Sequence, residues 1–317
     1  MSNVLAVDIG GTHFHVGLFD SEGRRLLLSE GRTDSSGGRE WMLSELRKRA
    51  DDLTARSDQR VESCGISFGG PVDYGRQQVS SMHVSGWQGF PLAQWMEDNF
   101  SLRCQVDNDA NAGALGEFHY GAGRDAESAL YLTISTGIGG GIVCGGRVHR
   151  GKDSMAGEVG HIPVSDSGAL CSCGARGCLE TICSGTAIGI RGRGFARRKP
   201  EVMARTIELA GGNPDQITAE LVFHAAGEGE TGAQFIVREA ARALARALLT
   251  AIRILNPDFI ILGGGVALSG PILLDPVHEY LDEFSTSVLE HSTRIVQAEL
   301  GNYSPLYGAA ALAVELL

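Results

Sequence analysis

The sequence lacks an excess of positive charge, and it lacks long apolar runs. Its 27 Lys and Arg residues are outnumbered by 38 Asp and Glu residues, which gives a formal net charge of −11. Proteins that coat nucleic acids carry a basic surface, so this balance argues against nucleic acid as a partner. No apolar run reaches the ~18 to 20 residues of a transmembrane helix, and the first residues have no signal-peptide pattern. We therefore expect no membrane partner and a cytoplasmic location.

The chain also lacks long linkers and low-complexity tracts. Its 317 residues suit two ordinary domains, and a hydrophobic content of 43% can build their cores, which excludes a disordered chain. The 44 glycines are about twice the usual frequency of roughly 7%. They have no collagen period, so we expect the excess to lie in loops.

An opening pattern of strand, glycine turn and strand occurs twice along the chain. The apolar run 4–7 ends at a turn, and alternation over 14–18 predicts a second strand. The run 129–134 is followed by the glycine-rich segment 137–141 and a strand at 142–144. The repetition predicts two related α/β domains that face each other across a cleft.

The helical and remaining strand patterns complete this prediction. Helical spacing predicts helices over 40–56, from Pro91 toward Phe100, and over 234–255. Further strands are expected at 26–29, 61–67, 104–107 and 259–262, and a last helix at 306–316. We place the smaller domain at 1–118 with 302–317 and the larger domain at 119–301.

Three glycine clusters each follow an apolar strand, at 8–12, 135–141 and 262–265. Glycine permits a positive φ and lets backbone N–H groups approach an anion, so such turns can bind phosphate without lysine. Asp8 is acidic and is expected to hold Mg²⁺ or its waters rather than phosphate. Tight turns or bulges are the alternative for any one cluster. None matches the P-loop or the dinucleotide-binding pattern.

A strand-to-helix junction at 106–111 carries two carboxylates and two amides. A helix N-terminus stabilises negative charge, so Asp109 should stay ionised and could accept a proton from an alcohol that attacks phosphorus. Asp107 is the competing candidate for this base. Asn108 and Asp109 could also merely cap the helix.

Three cysteines, Cys171, Cys173 and Cys178, lie within eight residues, with glycines that let the loop curl. With His161 ten residues upstream they make an accepted tetrahedral set for structural zinc. Four protein ligands leave no open position, so this zinc would not take part in the chemistry. The remaining cysteines are expected to be buried apolar thiols: Cys64, Cys104, Cys144 and Cys183.

Together these motifs resemble the ROK (repressor, open reading frame, kinase) family of sugar kinases, within the actin-like ATPase superfamily. The resemblance covers essentially the whole chain and implies two actin-like, ribonuclease H-like domains with a zinc-stapled loop. It assigns the catalytic base to Asp109 and the zinc ligands to His161, Cys171, Cys173 and Cys178. One departure is His13, where the family usually has lysine.

The resemblance also implies which residues bind the ligands. The residues expected to bind the sugar are Gly70, Asn108, Asp109, Glu158, His161 and Glu180. Those expected to bind Mg-ATP are Asp8, Gly10, Gly11, Thr12, Thr136, Gly137, Gly139, Gly264 and Gly265. Trp87 could border the sugar site, although a core position is the favoured interpretation. The basic run at 191–199 is interpreted as a solvated helix face.

The expected activity is transfer of a phosphoryl group from ATP to the 6-hydroxyl of a hexose, with glucose favoured. N-acetylhexosamine, mannose, allose and fructose remain open as substrates, and polyphosphate as a donor. The alternative from another class is a non-catalytic sugar-sensing regulator. Regulators of the family carry an N-terminal helix-turn-helix domain, for which the first strand at Val4 leaves no room. The resemblance implies a homodimer or homotetramer.

Overall fold

The computed structural model describes residues 2–81, 84–285 and 292–317. Its contacts divide the chain into two compact units. Unit 1 comprises Met1–Tyr131, Gly141–Ala156 and Ala298–Leu317, and unit 2 comprises Leu132–Gly140 and Gly157–Gln297. The domain boundaries predicted at 118/119 and 301/302 stay a prediction.

The chain contains both strands and helices, as the α/β prediction requires, in runs of each rather than in strict alternation. The strands are β1 (Asn3–Ile9), β2 (His13–Asp20), β3 (Arg25–Arg32), β4 (Val61–Phe68), β5 (Val72–Asp73), β6 (Gln78–Val79), β7 (Arg103–Asn108), β8 (Ser128–Ile134), β9 (Ile138–Cys144), β10 (Arg147–Val148), β11 (Phe259–Gly263) and β12 (Arg294–Gln297). The helices are α1 (Gly38–Ala55), α2 (Leu92–Phe100), α3 (Asp109–Tyr120), α4 (Glu180–Cys183), α5 (Gly185–Arg198), α6 (Ala204–Leu209), α7 (Ala219–Gly227), α8 (Thr231–Leu255), α9 (Gly264–Ala267), α10 (Pro271–Phe284) and α11 (Ser304–Val314).

The first sheet is mixed and has the strand order β3-β2-β1-β4-β7. Strand β1 is antiparallel to β2 and parallel to β4, and β4 is parallel to β7. Successive side chains of a strand point to opposite faces of its sheet. Leu5 and Val7 accordingly join a core with residues of α1 and α2, whereas Val4 and Ala6 pack with α11. The central strand is therefore buried on both faces, which explains its continuous apolar run at 4–7.

The second sheet has the order β10-β9-β8-β11-β12. Strands β9 and β10 are antiparallel, and β11 and β12 are parallel. When the five strands of each sheet are ranked by their position in the chain, both sheets have the order third, second, first, fourth, fifth. This shared order confirms the predicted repetition of one α/β arrangement.

Close packing of α3 against α11 depends on glycine. A Cβ on Gly116 would lie 2.2 Å from the carbonyl oxygen of Ser304, and one on Gly308 would lie 1.7 Å from that of Ala112. Real Cβ atoms do not approach this closely, so only glycine lets the two backbones touch. This packing fixes α3, whose first residue is Asp109.

Two local expectations were wrong. Gly139 to Gly141 do not form a turn, because β9 already begins at Ile138. Gly140 and Gly141 lack space for a side chain there, since a Cβ would meet the carbonyl oxygens of Gly157 and Ala110 at 2.4 and 2.5 Å. Cys144 is exposed rather than buried, because it ends β9 at the glycine turn that leads into β10.

Candidate functional site

The first glycine turn, at residues 10–12, is exposed and is held in place by two hydrogen bonds. The backbone N–H of Gly10 donates to the carbonyl of His13 at 3.0 Å, and Thr33 Oγ1 donates to the carbonyl of Gly10 at 2.7 Å. Gly11 and Thr12 are exposed, and a Cβ on Gly11 would meet nothing within 4 Å among the described residues. The turn is therefore fixed in shape while its outer face stays open to a ligand.

Asp8, the last residue but one of the preceding strand, is buried at 7% exposure. Ser67 Oγ donates to Asp8 Oδ1 at 2.7 Å, and His15 Nδ1 lies 3.2 Å from Asp8 Oδ2. Each carboxylate oxygen thus has one partner and retains acceptor capacity. A carboxylate of this kind fits Mg²⁺ bound directly or through water.

The candidate base lies beside this turn within unit 1. Asn108 Oδ1 accepts a hydrogen bond from the backbone N–H of Asn111 at 2.7 Å, so Asn108 does cap α3. A Cβ built on Gly69 would lie 3.5 Å from Gly10 Cα and 3.9 Å from Asp109 Oδ2. The first glycine turn, the loop that carries Gly70 and the Asp109 carboxylate are therefore neighbours.

The competing base, Asp107, has its carboxylate fully engaged. It is 2% exposed, and Oδ1 accepts from the backbone N–H of Asn108 at 2.8 Å and from Asn111 Nδ2 at 2.9 Å. Oδ2 accepts from Arg150 Nε at 2.8 Å and lies 2.7 Å from Arg150 Nη2. Four donors occupy the two carboxylate oxygens and leave little room for a substrate hydroxyl, so the geometry favours Asp109 over Asp107.

The second glycine turn, in unit 2, is tied to the cysteine-rich loop. The backbone N–H of Gly185 donates to the carbonyl of Ser135 at 2.7 Å, and Glu180 Oε2 accepts from the backbone N–H of Ile138 at 2.9 Å. A Cβ on Gly137 would lie 2.7 Å from the same carboxylate oxygen. Glu180, for which a sugar contact stays a prediction, thus supports the second glycine turn.

A cavity of about 1120 Å³ in unit 2 brings the second and third glycine clusters together. Ser135 and Thr136 line it on one side, and Gly265 with Val266 on another. Gly264 has φ +82°, and a Cβ there would lie 2.5 Å from the carbonyl oxygen of Ile134, so only glycine fits this turn. Phe223 adds an aromatic side chain to the wall. A cavity lined by glycine and hydroxyl residues of two turns, together with an aromatic side chain, suits a nucleotide.

The four predicted zinc ligands converge on one point. His161 Nδ1 lies 3.3 Å from Cys171 Sγ, and the Cys173 and Cys178 sulfurs are 3.6 Å apart. All four ligand atoms lie within 4.8 Å of one another. Tetrahedral zinc with Zn–S bonds of about 2.3 Å places sulfurs ~3.8 Å apart, so the cluster fits this ion. His161 Nε2 faces away from the sulfurs and lies 3.7 Å from Glu158 Oε2.

The thiols of this cluster are electrostatically unequal. Burial raises the pKa of Cys178 to about 12, and the neighbouring thiols add to the rise. The backbone N–H of Ala175 lowers the pKa of Cys173. Metal binding requires thiolates, so zinc would have to displace the Cys178 proton.

One further sequence expectation is confirmed, and another holds in part. Trp87 is a core residue at 2% exposure, with Phe68 and Phe90 packed edge-on against its ring. The basic run is solvated only at its end, where Arg197 is exposed and pairs with Asp215. Arg193 is half-buried, donates through Nη1 to the carbonyl of Ile217 at 2.7 Å, and lines the cavity.

Sequence reasoning missed Arg150 and Tyr74. The Arg150 guanidinium lies 3.5 Å from the centre of the Tyr74 ring while it pairs with Asp107. The only available signal was a buried carboxylate beside the candidate base, which needs a cationic partner from elsewhere in the chain.

The repeated sheet order and the glycine turns after the first strand of each sheet define a two-unit α/β protein of the actin-like ATPase class. The chain belongs to the ROK family, whose model matches residues 4–315. Among the described residues, no helix is long and apolar enough to cross a membrane.

Relatives of known function include sugar kinases. The chain is 34% identical to a glucokinase of Thermotoga maritima over 98% of this chain and 97% of that protein. It is 30% identical to an N-acetylmannosamine kinase of Salmonella heidelberg, over 98% and 97% of the two chains. The structure superimposes with a TM-score of 0.84 on a ROK family glucokinase from Streptomyces griseus in complex with glucose and AMPPNP, at 32% identity over 99% of this chain and 100% of that chain.

Proposed function

We propose that this protein is an ATP-dependent hexose kinase that phosphorylates the 6-hydroxyl of glucose. The observation that carries the proposal is the adjacency of the first phosphate turn, the Gly69-Gly70 loop and the Asp109 carboxylate within one unit. A base next to a phosphate turn is the arrangement that phosphoryl transfer to an alcohol needs. The similarity to glucokinases over nearly the whole chain, one of them with glucose and an ATP analogue bound, supports the choice of glucose.

In this proposal Asp109 accepts the proton of the sugar's primary hydroxyl as its oxygen attacks the γ-phosphorus of ATP. The bond between the γ-phosphorus and the bridging oxygen breaks, and that oxygen leaves with ADP. The backbone N–H groups of the glycine turns stabilise the charge that develops on the phosphoryl oxygens. Magnesium, held through Asp8, would neutralise phosphate charge.

The sugar-binding residues proposed are Gly70, Asn108, Asp109, Glu158, His161 and Glu180. The residues proposed for ATP are Asp8, Gly10, Gly11, Thr12, Thr136, Gly137, Gly139, Gly264 and Gly265. Carboxylates and an imidazole offer the acceptors and donors that grip vicinal hydroxyls. His161 is suited to two roles, since Nδ1 faces the sulfurs and Nε2 faces Glu158. Zinc would hold the loop through His161, Cys171, Cys173 and Cys178 and supply no chemistry.

A second candidate function is phosphorylation of N-acetylmannosamine, which the similarity to an N-acetylmannosamine kinase favours. A non-catalytic sugar sensor is less favoured, because the Asp109 carboxylate lies beside the first glycine turn and Asp8 precedes that turn.

ADP release over a panel of hexoses, with Asp109→Asn as the control, tests the proposal. We expect sugar-dependent ADP release that is fastest with glucose and lower by about 10² to 10⁴-fold in the variant, the usual contribution of a general base. A panel without sugar-dependent release would overturn the kinase proposal. Equal activity of the variant would remove Asp109 as the base.

The proposal extends to metals, assembly and location. We propose magnesium with ATP, one zinc per chain, a homodimer or homotetramer, and a cytoplasmic role in glycolysis. Elemental analysis of purified protein and light scattering in solution test the metal and the assembly.

A further inference from the structure

Asp107 is a buried carboxylate two residues before the proposed base. Its Oδ1 accepts from the two amide groups that shape the start of α3, the backbone N–H of Asn108 and the side chain of Asn111. Its Oδ2 faces only Arg150 among the described partners, through Nε at 2.8 Å and Nη2 at 2.7 Å. One carboxylate thus joins the catalytic junction to a residue 43 positions further along the chain.

Arg150 is itself held in place. Its guanidinium lies 3.5 Å from the centre of the Tyr74 ring, and its side chain is 19% exposed. Gln105, on the strand that leads to Asp107, donates to the Tyr74 hydroxyl. Burial raises the pKa of Tyr74, so the ring remains a neutral phenol under a cation. A planar guanidinium stacked on a ring and paired with a carboxylate has little freedom to move.

We propose that Arg150 is a positioning residue for catalysis, which fixes the Asp107 carboxylate and through it the orientation of the Asp109 base at the start of α3. The inference rests on the proposed kinase function. Arg150 touches neither reacting atom in this account, and it acts through Asp107, Asn108 and Asn111.

Loss of the guanidinium would leave Asp107 buried with an uncompensated charge. Such a group recruits water, takes up a proton or moves, and each response changes its bonds to Asn108 and Asn111. A displacement of about 1 Å at a catalytic group can cost ~10²-fold in rate. Of the proposed sugar-binding residues, only Asn108 and Asp109 belong to this junction. The others, Gly70, Glu158, His161 and Glu180, lie outside it, so the effect should fall on kcat more than on the sugar KM.

The test compares Arg150→Met with a matched control, Arg49→Met. Arg49 also stacks on a ring, 4.7 Å from the centre of Phe14, and pairs with a partly buried carboxylate, Glu45, at 3.1 Å. We expect Arg150→Met to lower kcat by about 10²-fold with a change of less than about threefold in the glucose KM. Arg49→Met should keep the wild-type kcat even where its thermal stability falls. Arg150→Lys, which keeps the charge, should fall between wild type and Arg150→Met.

Two further measurements separate positioning from folding. Amide hydrogen exchange of 105–112 should be faster in Arg150→Met than in wild type and unchanged in Arg49→Met. A double-mutant cycle combines Arg150→Met with Asp107→Asn. Because the pair acts as one unit, the kcat of the double variant should lie within about threefold of the kcat of Arg150→Met. If Arg150→Met does not fold, the same comparison with Arg150→Lys provides the kcat.

The outcomes distinguish this inference from the proposed function. Wild-type protein that releases no ADP with any hexose would overturn the kinase proposal itself. If the wild-type protein is active, two results would overturn the role of Arg150 alone. One is a wild-type kcat in Arg150→Met, and the other is an equal loss of kcat in Arg49→Met. Multiplicative losses in the double variant would also overturn it, because they would show that Asp107 and Arg150 act separately.

Discussion

Glu180 connects the cysteine-rich loop with the second phosphate turn, and its removal should weaken the use of ATP. Its Oε2 accepts the backbone N–H of Ile138 at 2.9 Å, directly after Gly137. A hydrogen bond to a charged acceptor contributes about 1.5–3 kcal/mol. At about 1.4 kcal/mol for each factor of ten, Glu180→Ala should lower kcat/KM for ATP by roughly 10- to 150-fold.

The assay is coupled ADP release with ATP varied at saturating glucose, followed by glucose varied at saturating ATP. Glu180→Gln retains an oxygen that can accept the same N–H, and neutral bonds are about half as strong as charged ones, so its loss should be smaller. The matched control is Glu158→Gln, because Glu158 lies 3.7 Å from His161 Nε2. This control should raise the glucose KM and leave the ATP parameters unchanged. The reasoning fails if Glu180→Ala changes only the glucose KM and keeps the ATP parameters within twofold.

Three other predictions follow from the packing and the metal cluster. Removal of zinc should raise the KM values for ATP and sugar together, because Glu180 lies only two residues after the zinc ligand Cys178. Elemental analysis would establish that the protein is metal-free, and unchanged KM values in that protein would contradict the prediction. Glu117→Gln should lower the free energy of unfolding, measured in urea, by about 3–6 kcal/mol. Each Glu117 oxygen accepts two hydrogen bonds, and the variant replaces one oxygen with an amide group that donates, so two charged hydrogen bonds are lost. A loss below about 1 kcal/mol would refute this prediction. Gly264→Ala should lower the melting temperature, because alanine disfavours the positive φ at this position. Gly265→Ala should leave the melting temperature unchanged, because its Cβ would meet open space among the described residues. Equal melting temperatures of the two variants would show that the positive φ of Gly264 is not required.

The sequence was sufficient to predict most strands of the two sheets, several helices and the local motifs, but it gave no expectation for α5, α7, α10 or β12. Apolar runs bounded by glycine turns marked β1 and β8, and an Asn before a run of small and apolar residues marked the start of α3. The zinc ligands were also predictable, because three of them lie within one short loop and chain connectivity brings them together. Each of these signals is contained within a few neighbouring residues.

Contacts between distant residues could not be predicted in the same way. Arg150 meets Asp107 across 43 positions, and Glu180 meets Ile138 across 42. No periodicity or motif encodes such a pair, since the contact depends on how the sheets and loops pack. The exposed position of Cys144 was missed for a related reason, because burial at a strand end depends on what packs against it.

The identity of the product tests the central claim most directly. Wild-type protein, glucose and Mg-ATP are incubated, and the product is measured with an enzyme that oxidises only glucose 6-phosphate, with Asp109→Asn run in parallel. The account predicts one glucose 6-phosphate for each ADP released, and a rate lower by at least about 10²-fold in the variant. Release of ADP without glucose 6-phosphate, or an equal yield from Asp109→Asn at the wild-type rate, would contradict it.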